Sequence, residues 1–109
     1  MAFDSVSAAQ PVVFFDRREL DLLLRLYGRM VVAGHWRDYA IDALKDRAVF
    51  SVFRRASETP LYRIEKRPGL AARHGAWQVT APGGLVLRRS HELAQVLKVF
   101  DRARFAVVK

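Results

Sequence analysis

The stretch DRRELDLLLRLYGRMVVAG, residues 16–34, carries its own start, face and stop, and the rest of the chain is read outward from it. Asp16 is placed to accept from the free amides of a first helical turn. Glu19, three residues on, is placed to reach back to the amide of residue 16, so the pair forms a capping-box signature. Phe15 and Leu20 occupy the two staple positions around that cap. Leu20, Leu23, Leu24, Tyr27, Met30 and Val31 recur at spacings of three and four and predict one buried stripe, with Arg17, Arg18, Asp21, Arg25 and Arg29 mostly off it. Gly34 is the predicted stop.

The next segment, HWRDYAIDALKD at 35–46, keeps a roughly helical recurrence of Trp36, Tyr39, Ala40, Ile41 and Leu44 and predicts a short second helix capped by Asp38. Trp36 and Tyr39 there have two readings: closure of the core at the end of the first helix, or an exposed aromatic pair for stacking. From Arg47 onward the period changes. Val, Phe, Tyr and Ile become frequent and the breaks turn-like, which predicts strands at 48–55, 61–67, 76–80 and 85–89. The loop ASETP joins the first two, a basic connection through Pro68, Gly69 and LAARHG joins the middle pair, and Ala81-Pro82-Gly83-Gly84 turns the last hairpin. Ser90 is then a predicted cap for a helix over 91–103, with Leu93, Val96, Leu97 and Phe100 as its apolar stripe. Two apolar segments, 11–15 and 105–108, are candidates for edge strands.

These readings predict an α+β fold: a long N-terminal helix and a C-terminal helix packed on one face of a four-stranded antiparallel meander, the other face free to meet water. Residues 11–109 read as a single domain. Residues 1–10, MAFDSVSAAQ, read as a disordered lead-in, since they lack the basic and apolar regions of a signal peptide. No apolar run exceeds four residues, far short of the ~20 that cross a bilayer. Cysteine is absent, which removes disulfides, thiol nucleophiles and thiolate metal sites and fits a reducing compartment, so the expected location is the cytoplasm.

The signals for catalysis are weak. His35, His74 and His91 lie in three different local contexts, and no pair has the spacing of a metal site, so no metal and no cofactor are expected. His91-Glu92 opens like a zincin helix but has no second histidine at the required distance. Gly83-Gly84 leads into a strand and not a helix N-terminus, so it reads as a turn and not as a phosphate cradle. Ser90 beside His91 is no dyad, because sequence neighbours do not point at one another across a nucleophile. The expectation is a protein that is not an enzyme.

The net charge of +8 is unevenly placed: residues 1–46 hold six basic and seven acidic groups, residues 47–109 thirteen basic and four acidic. Such asymmetry points to an anionic partner, or else to simple solvation of a small domain. The candidate binding residues are Arg54, Arg55, Arg63, Lys66, Arg67, Arg88 and Arg89 on or at the ends of predicted strands, with Arg73 and His74 in the connection. If Tyr62 and Ile64 face the core, Arg63 faces water, and so by parity does one arginine of each pair at 54/55 and 88/89. A sheet face with four or more guanidinium forks suits phosphate or carboxylate, hence nucleic acid or an acidic protein. The alternative is a structural or adaptor protein acting through protein contacts. In 48–55, Val49 and Phe53 share one face while Phe50 and Val52 share the other, so homodimerisation through an apolar sheet face also follows as an expectation.

The strings Leu26-Tyr27-Gly28-Arg29-Met30, Trp36-Arg37-Asp38-Tyr39, Phe50-Ser51-Val52-Phe53-Arg54-Arg55, Pro60-Leu61-Tyr62-Arg63-Ile64-Glu65 and Gly83-Gly84 resemble the bacterial family called domain of unknown function 2794, found chiefly in alphaproteobacteria. The similarity runs from about Phe14 to Phe100. It implies a bacterial cytoplasmic protein and brings no assigned activity, cofactor or catalytic residue.

Overall fold

The computed structural model describes residues 11–55 and 59–101. Helix α1 (Arg17–Val32) is followed by β1 (Asp38–Ala43), β2 (Ala48–Phe53), β3 (Tyr62–Lys66), β4 (Trp77–Thr80) and β5 (Val86–Ser90). These strands form one antiparallel sheet in sequential order. Helix α2 (Leu93–Val96) is a single turn continued by a 3-10 turn at Leu97–Phe100. The α+β class and the antiparallel meander are as the sequence predicts. The strand count and the C-terminal helix are not.

The extra strand is the segment read as a second helix. Asp38 does not cap a helix; it pairs with Phe53 at the start of β1, and Tyr39 and Ile41 lie opposite Val52 and Phe50. The stretch DYAIDA satisfies both periods: Tyr39 and Ile41 also alternate with Asp38, Ala40 and Asp42, which is a strand with one apolar side. Long-range pairing with β2 decides between them, and the amide of Leu44 donates to the Arg47 carbonyl across a two-residue turn (2.8 Å). At the other end, Ser90 is the last residue of β5, and its hydroxyl accepts from the Glu92 amide at 3.2 Å. Over its described part, 91–101, the expected helix therefore shrinks to α2 and the 3-10 turn, although Leu93, Val96 and Phe100 are buried as their spacing implied; residues 102 and 103 lie outside the described residues. Residues 11–16 contain no strand; Val13 makes one backbone bond, to the Leu44 carbonyl. The segments 1–10 and 105–108 lie outside the described residues.

Both ends of α1 are built as the sequence indicates. The Glu19 amide donates to Asp16 Oδ1 and the Asp16 amide to Glu19 Oε1, each at 2.8 Å. At the C-terminus Gly34 takes φ 86°, and the amides of Gly34 and His35 donate to the carbonyls of Val31 and Met30, which is a complete Schellman closure. Glu19 has a second role. Lys66 Nζ lies 2.7 Å from its carboxylate and 2.8 Å from the Phe14 carbonyl, over the Trp77 ring, so the first turn of α1 is strapped to β3 and β4. Asp16→Ala is expected to cost about 1 kcal/mol in urea unfolding, because Glu19 N–H loses its acceptor while the strap survives.

The face of α1 that is buried differs from the predicted stripe. Leu23, Leu26 and Met30 enter the core, whereas Leu24 and Val31 are 39% and 38% exposed. These side chains cover Ala48, Phe50, Val52, Ile64 and Val79 on one sheet face, and Leu93, Val96 and Phe100 close the same core from the C-terminal side. Trp36 is buried edge-on against Phe100 at 5.1 Å, while half-exposed Tyr39 stacks on Phe50 at 5.2 Å. The two aromatics thus serve the core end and the sheet edge respectively.

Candidate anion-binding site

The register sorts the arginines. Opposed residues in an antiparallel pair share a face, so Asp42, Val49, Glu65, Gln78 and Arg89 form one row across the face away from α1. Ser51, Arg63 and Thr80 form the next. Within the first row Arg67 Nε donates to Glu65 Oε1 (2.7 Å), Gln78 Nε2 to the same oxygen (3.2 Å), and Arg89 Nε to Gln78 Oε1 (3.3 Å). Glu65 and Gln78 are buried in doing so, and among the described residues no buried side-chain N or O atom lacks a partner. Arg67 and Arg89 are therefore committed to holding a polar row together, a carboxylate drawing one guanidinium and an amide the other.

The remaining candidates separate. Lys66 lies on the helix-covered face as the strap described above. Arg88 shares that face, and its guanidinium donates to the Gln95 carbonyl, satisfying the end of α2 (3.0 Å). Arg73 and His74 are exposed on the turn after Pro68–Leu70. Antiparallel strand directions put that turn at the end of the sheet where β2 begins, and Arg54 and Arg55 at the end where β2 finishes, on the order of 17 Å away by strand rise. These candidates do not make one patch.

At the second end a different group converges. The Arg37 amide donates to the Phe53 carbonyl at 2.8 Å, which fixes the α1–β1 connection beside the exit of β2. The Tyr27 hydroxyl donates to the Arg37 carbonyl and pins it from the helix side. Burial, with Asp38 and Tyr39 adding smaller contributions, pushes the Tyr27 hydroxyl above its ordinary value, so it stays a donor at neutral pH. Arg37, Arg54 and Arg55 then line a concavity of about 410 Å³ with Val31, Gly34, His35 and Trp36. Among the described residues none of the three guanidinium groups has a carboxylate within ion-pairing distance, in contrast to Lys66 and Arg67. Arg63 is exposed on the sheet face two positions in from the same end, and it too has no ion pair among the described residues.

Arg37 was not among the residues that strand parity singles out. Its signal is available only once 35–46 is read as connection plus strand, because a helix there would have turned Arg37 into a cap neighbour. The three histidines sit apart, at the end of α1, in the turn after Pro68–Leu70 and after β5, and among the described residues no group of three His, Asp or Glu is placed to hold a metal. No described helix is long and apolar enough to cross a membrane.

No curated protein and no solved structure matches the chain. A family model does match, over residues 13–97, which takes in α1, all five strands and α2. The chain belongs to the family described as protein of unknown function (DUF2794).

Proposed function

We propose that this protein is a small non-enzymatic module that binds the phosphate backbone of a nucleic acid through Arg37, Arg54 and Arg55, with Arg63 extending the contact onto the sheet. The observation that carries this reading is that three arginines, without an ion pair among the described residues, line one concavity. Planar donor forks suit phosphate oxygens, and a cationic cluster not already neutralised internally gains the most from an external anion. The sheet face beside it supports nucleic acid over protein. On that face Val49 is buried and Phe53 and Val86 are half-buried, while Trp77 points to the helix-covered side, so little apolar area lies open among the arginines.

Neutralised phosphates release condensed counterions, so the logarithm of affinity falls with the logarithm of salt, by roughly 0.9 per contact on duplex and 0.7 on single strands. Four contacts give a slope of about 3 to 4. Arg37→Ala, Arg54→Ala, Arg55→Ala and Arg63→Ala are each expected to lower that slope by somewhat under one unit, with little dependence on sequence. Arg73→Ala, at the opposite end of the sheet, should leave it unchanged. Titration of a fluorescent oligonucleotide at several salt concentrations reads both. Binding no tighter than ~10⁻⁴ M at about 50 mM salt, or an Arg73→Ala effect equal to that of Arg54→Ala, sinks the proposal.

A further inference from the structure

Helix α1 has a second apolar side that nothing in the described molecule covers. Leu24, Gly28 and Val31 follow one another at spacings of four and three, and Val32 beside them is 89% exposed. With Arg25 and Arg29, Leu24, Gly28 and Val32 form a shallow groove of about 670 Å³ along the outside of the helix. Over this one heptad the spacing is that of a coiled-coil seam, in which alternate threes and fours keep one stripe facing a partner helix, and the preceding seam positions are the charged Arg17 and Asp21.

Gly28 is the informative residue. It sits inside a 16-residue helix, where glycine is the poorest former after proline. A Cβ built on it would meet nothing within 4 Å, so no contact among the described residues requires the side chain to be missing. What its absence provides is a notch at the middle of the exposed stripe, through which another backbone can approach closely.

We propose that this face of α1 is a docking site for an amphipathic helix of another protein with acidic residues flanking its apolar seam. Charge selects that occupant. The solvent side of α1 carries Arg17, Arg18, Arg25 and Arg29 against Asp21 alone, since Glu19 is taken by its cap and by Lys66. A second copy of this chain would bring arginine rows together along the seam, whereas glutamates at the flanking positions of a partner meet them. The site touches the arginine concavity at Val31 but shares none of its cations, and the groove itself is lined by other residues.

The probe is a synthetic peptide about three heptads long, with leucine at the seam positions and glutamate at the flanks, and a matched peptide with lysine at the flanks. Anisotropy titration of the full chain is expected to show the glutamate peptide binding at least roughly tenfold tighter than the lysine peptide. Gly28→Leu should weaken the glutamate peptide at least about tenfold, and the R25E/R29E double variant should reverse the preference between the peptides. Gly28→Ala should meanwhile raise Tm by roughly 2 to 6 °C, since the helix gains propensity and no clash arises. Arg54→Ala should leave peptide binding intact, which separates this site from the nucleic-acid reading. Equal binding of the two peptides, no binding of either, or self-association that Gly28→Leu abolishes in sedimentation would overturn the assignment.

Discussion

Leu23→Ala and Leu26→Ala are each expected to destabilise the protein by about 2 to 5 kcal/mol, and Leu24→Ala by about 1 kcal/mol or less. The three leucines lie within four residues of one helix, so propensity changes are alike and cannot account for a difference. Leu23 and Leu26 are 0% and 2% exposed and pack in the cluster that holds Phe50, Val52 and Ile64, so truncation there leaves a cavity walled by other elements. Leu24 stands at the edge of the outer groove, and removing its side chain opens that groove further without hollowing the interior. For a domain whose total stability is of the usual order of 5 to 15 kcal/mol, Leu23→Ala removes a large fraction. Urea midpoints with unchanged slopes would read this directly. A loss at Leu24 equal to that at Leu26 would mean that α1 presents a different side to the sheet.

That contrast also marks where the sequence was legible and where it was not. Capping at Asp16 and Glu19 and the stop at Gly34 depend on atoms within a few residues, so local pattern sufficed for them. The stripe read as Leu20, Leu23, Leu24, Tyr27, Met30 and Val31 had an apolar competitor, because Leu22 to Leu24 and Leu26 give nearly every side of the helix a leucine. Only the sheet beneath selects Leu26 over Leu24. The segment DYAIDA failed for a related reason: short apolar recurrences fit both periods, and the register with β2 that decides is a contact across the chain. For the candidate site, parity correctly separated Arg63 from Ile64. It had no means of knowing that Glu65 and Gln78 would claim Arg67 and Arg89, that Arg88 would turn to the Gln95 carbonyl, or that Arg37 would arrive beside Arg54 through a backbone bond to Phe53. Those partners are set by strand pairing and by the turn of the chain after α1, neither of which has a signature in arginine spacing.

Gly75→Ala is expected to cost at least about 3 kcal/mol, as much as a large core truncation, although it adds one methyl group. The Leu70 carbonyl receives the amides of Arg73, His74 and Gly75, and the Arg67 amide donates to the Ala76 carbonyl, so the chain between β3 and β4 is a tight closed turn with little freedom to move. At its end Gly75 takes φ 94° and is buried. A Cβ there would lie 2.3 Å from the Ser90 carbonyl carbon and oxygen and 2.6 Å from the His91 nitrogen, all of them backbone atoms that no rotamer change can withdraw. The left-handed conformation alone costs a non-glycine residue about 1 to 2 kcal/mol. The clash comes in addition, and it is relieved only if the corner from β5 to α2 lifts off the turn. That corner seats Leu93, Val96 and Phe100, and Phe100 packs on Trp36 and Tyr62, so the displacement opens the core itself. Gly34→Ala supplies the control, because Gly34 has φ 86° with nothing within 4 Å and should lose only the conformational part. Denaturant midpoints of the two variants measure the steric part as their difference. Near-UV circular dichroism of Trp36 should change in the Gly75 variant and not in the Gly34 one, and equal losses in the two would show that Ser90 does not press on this turn.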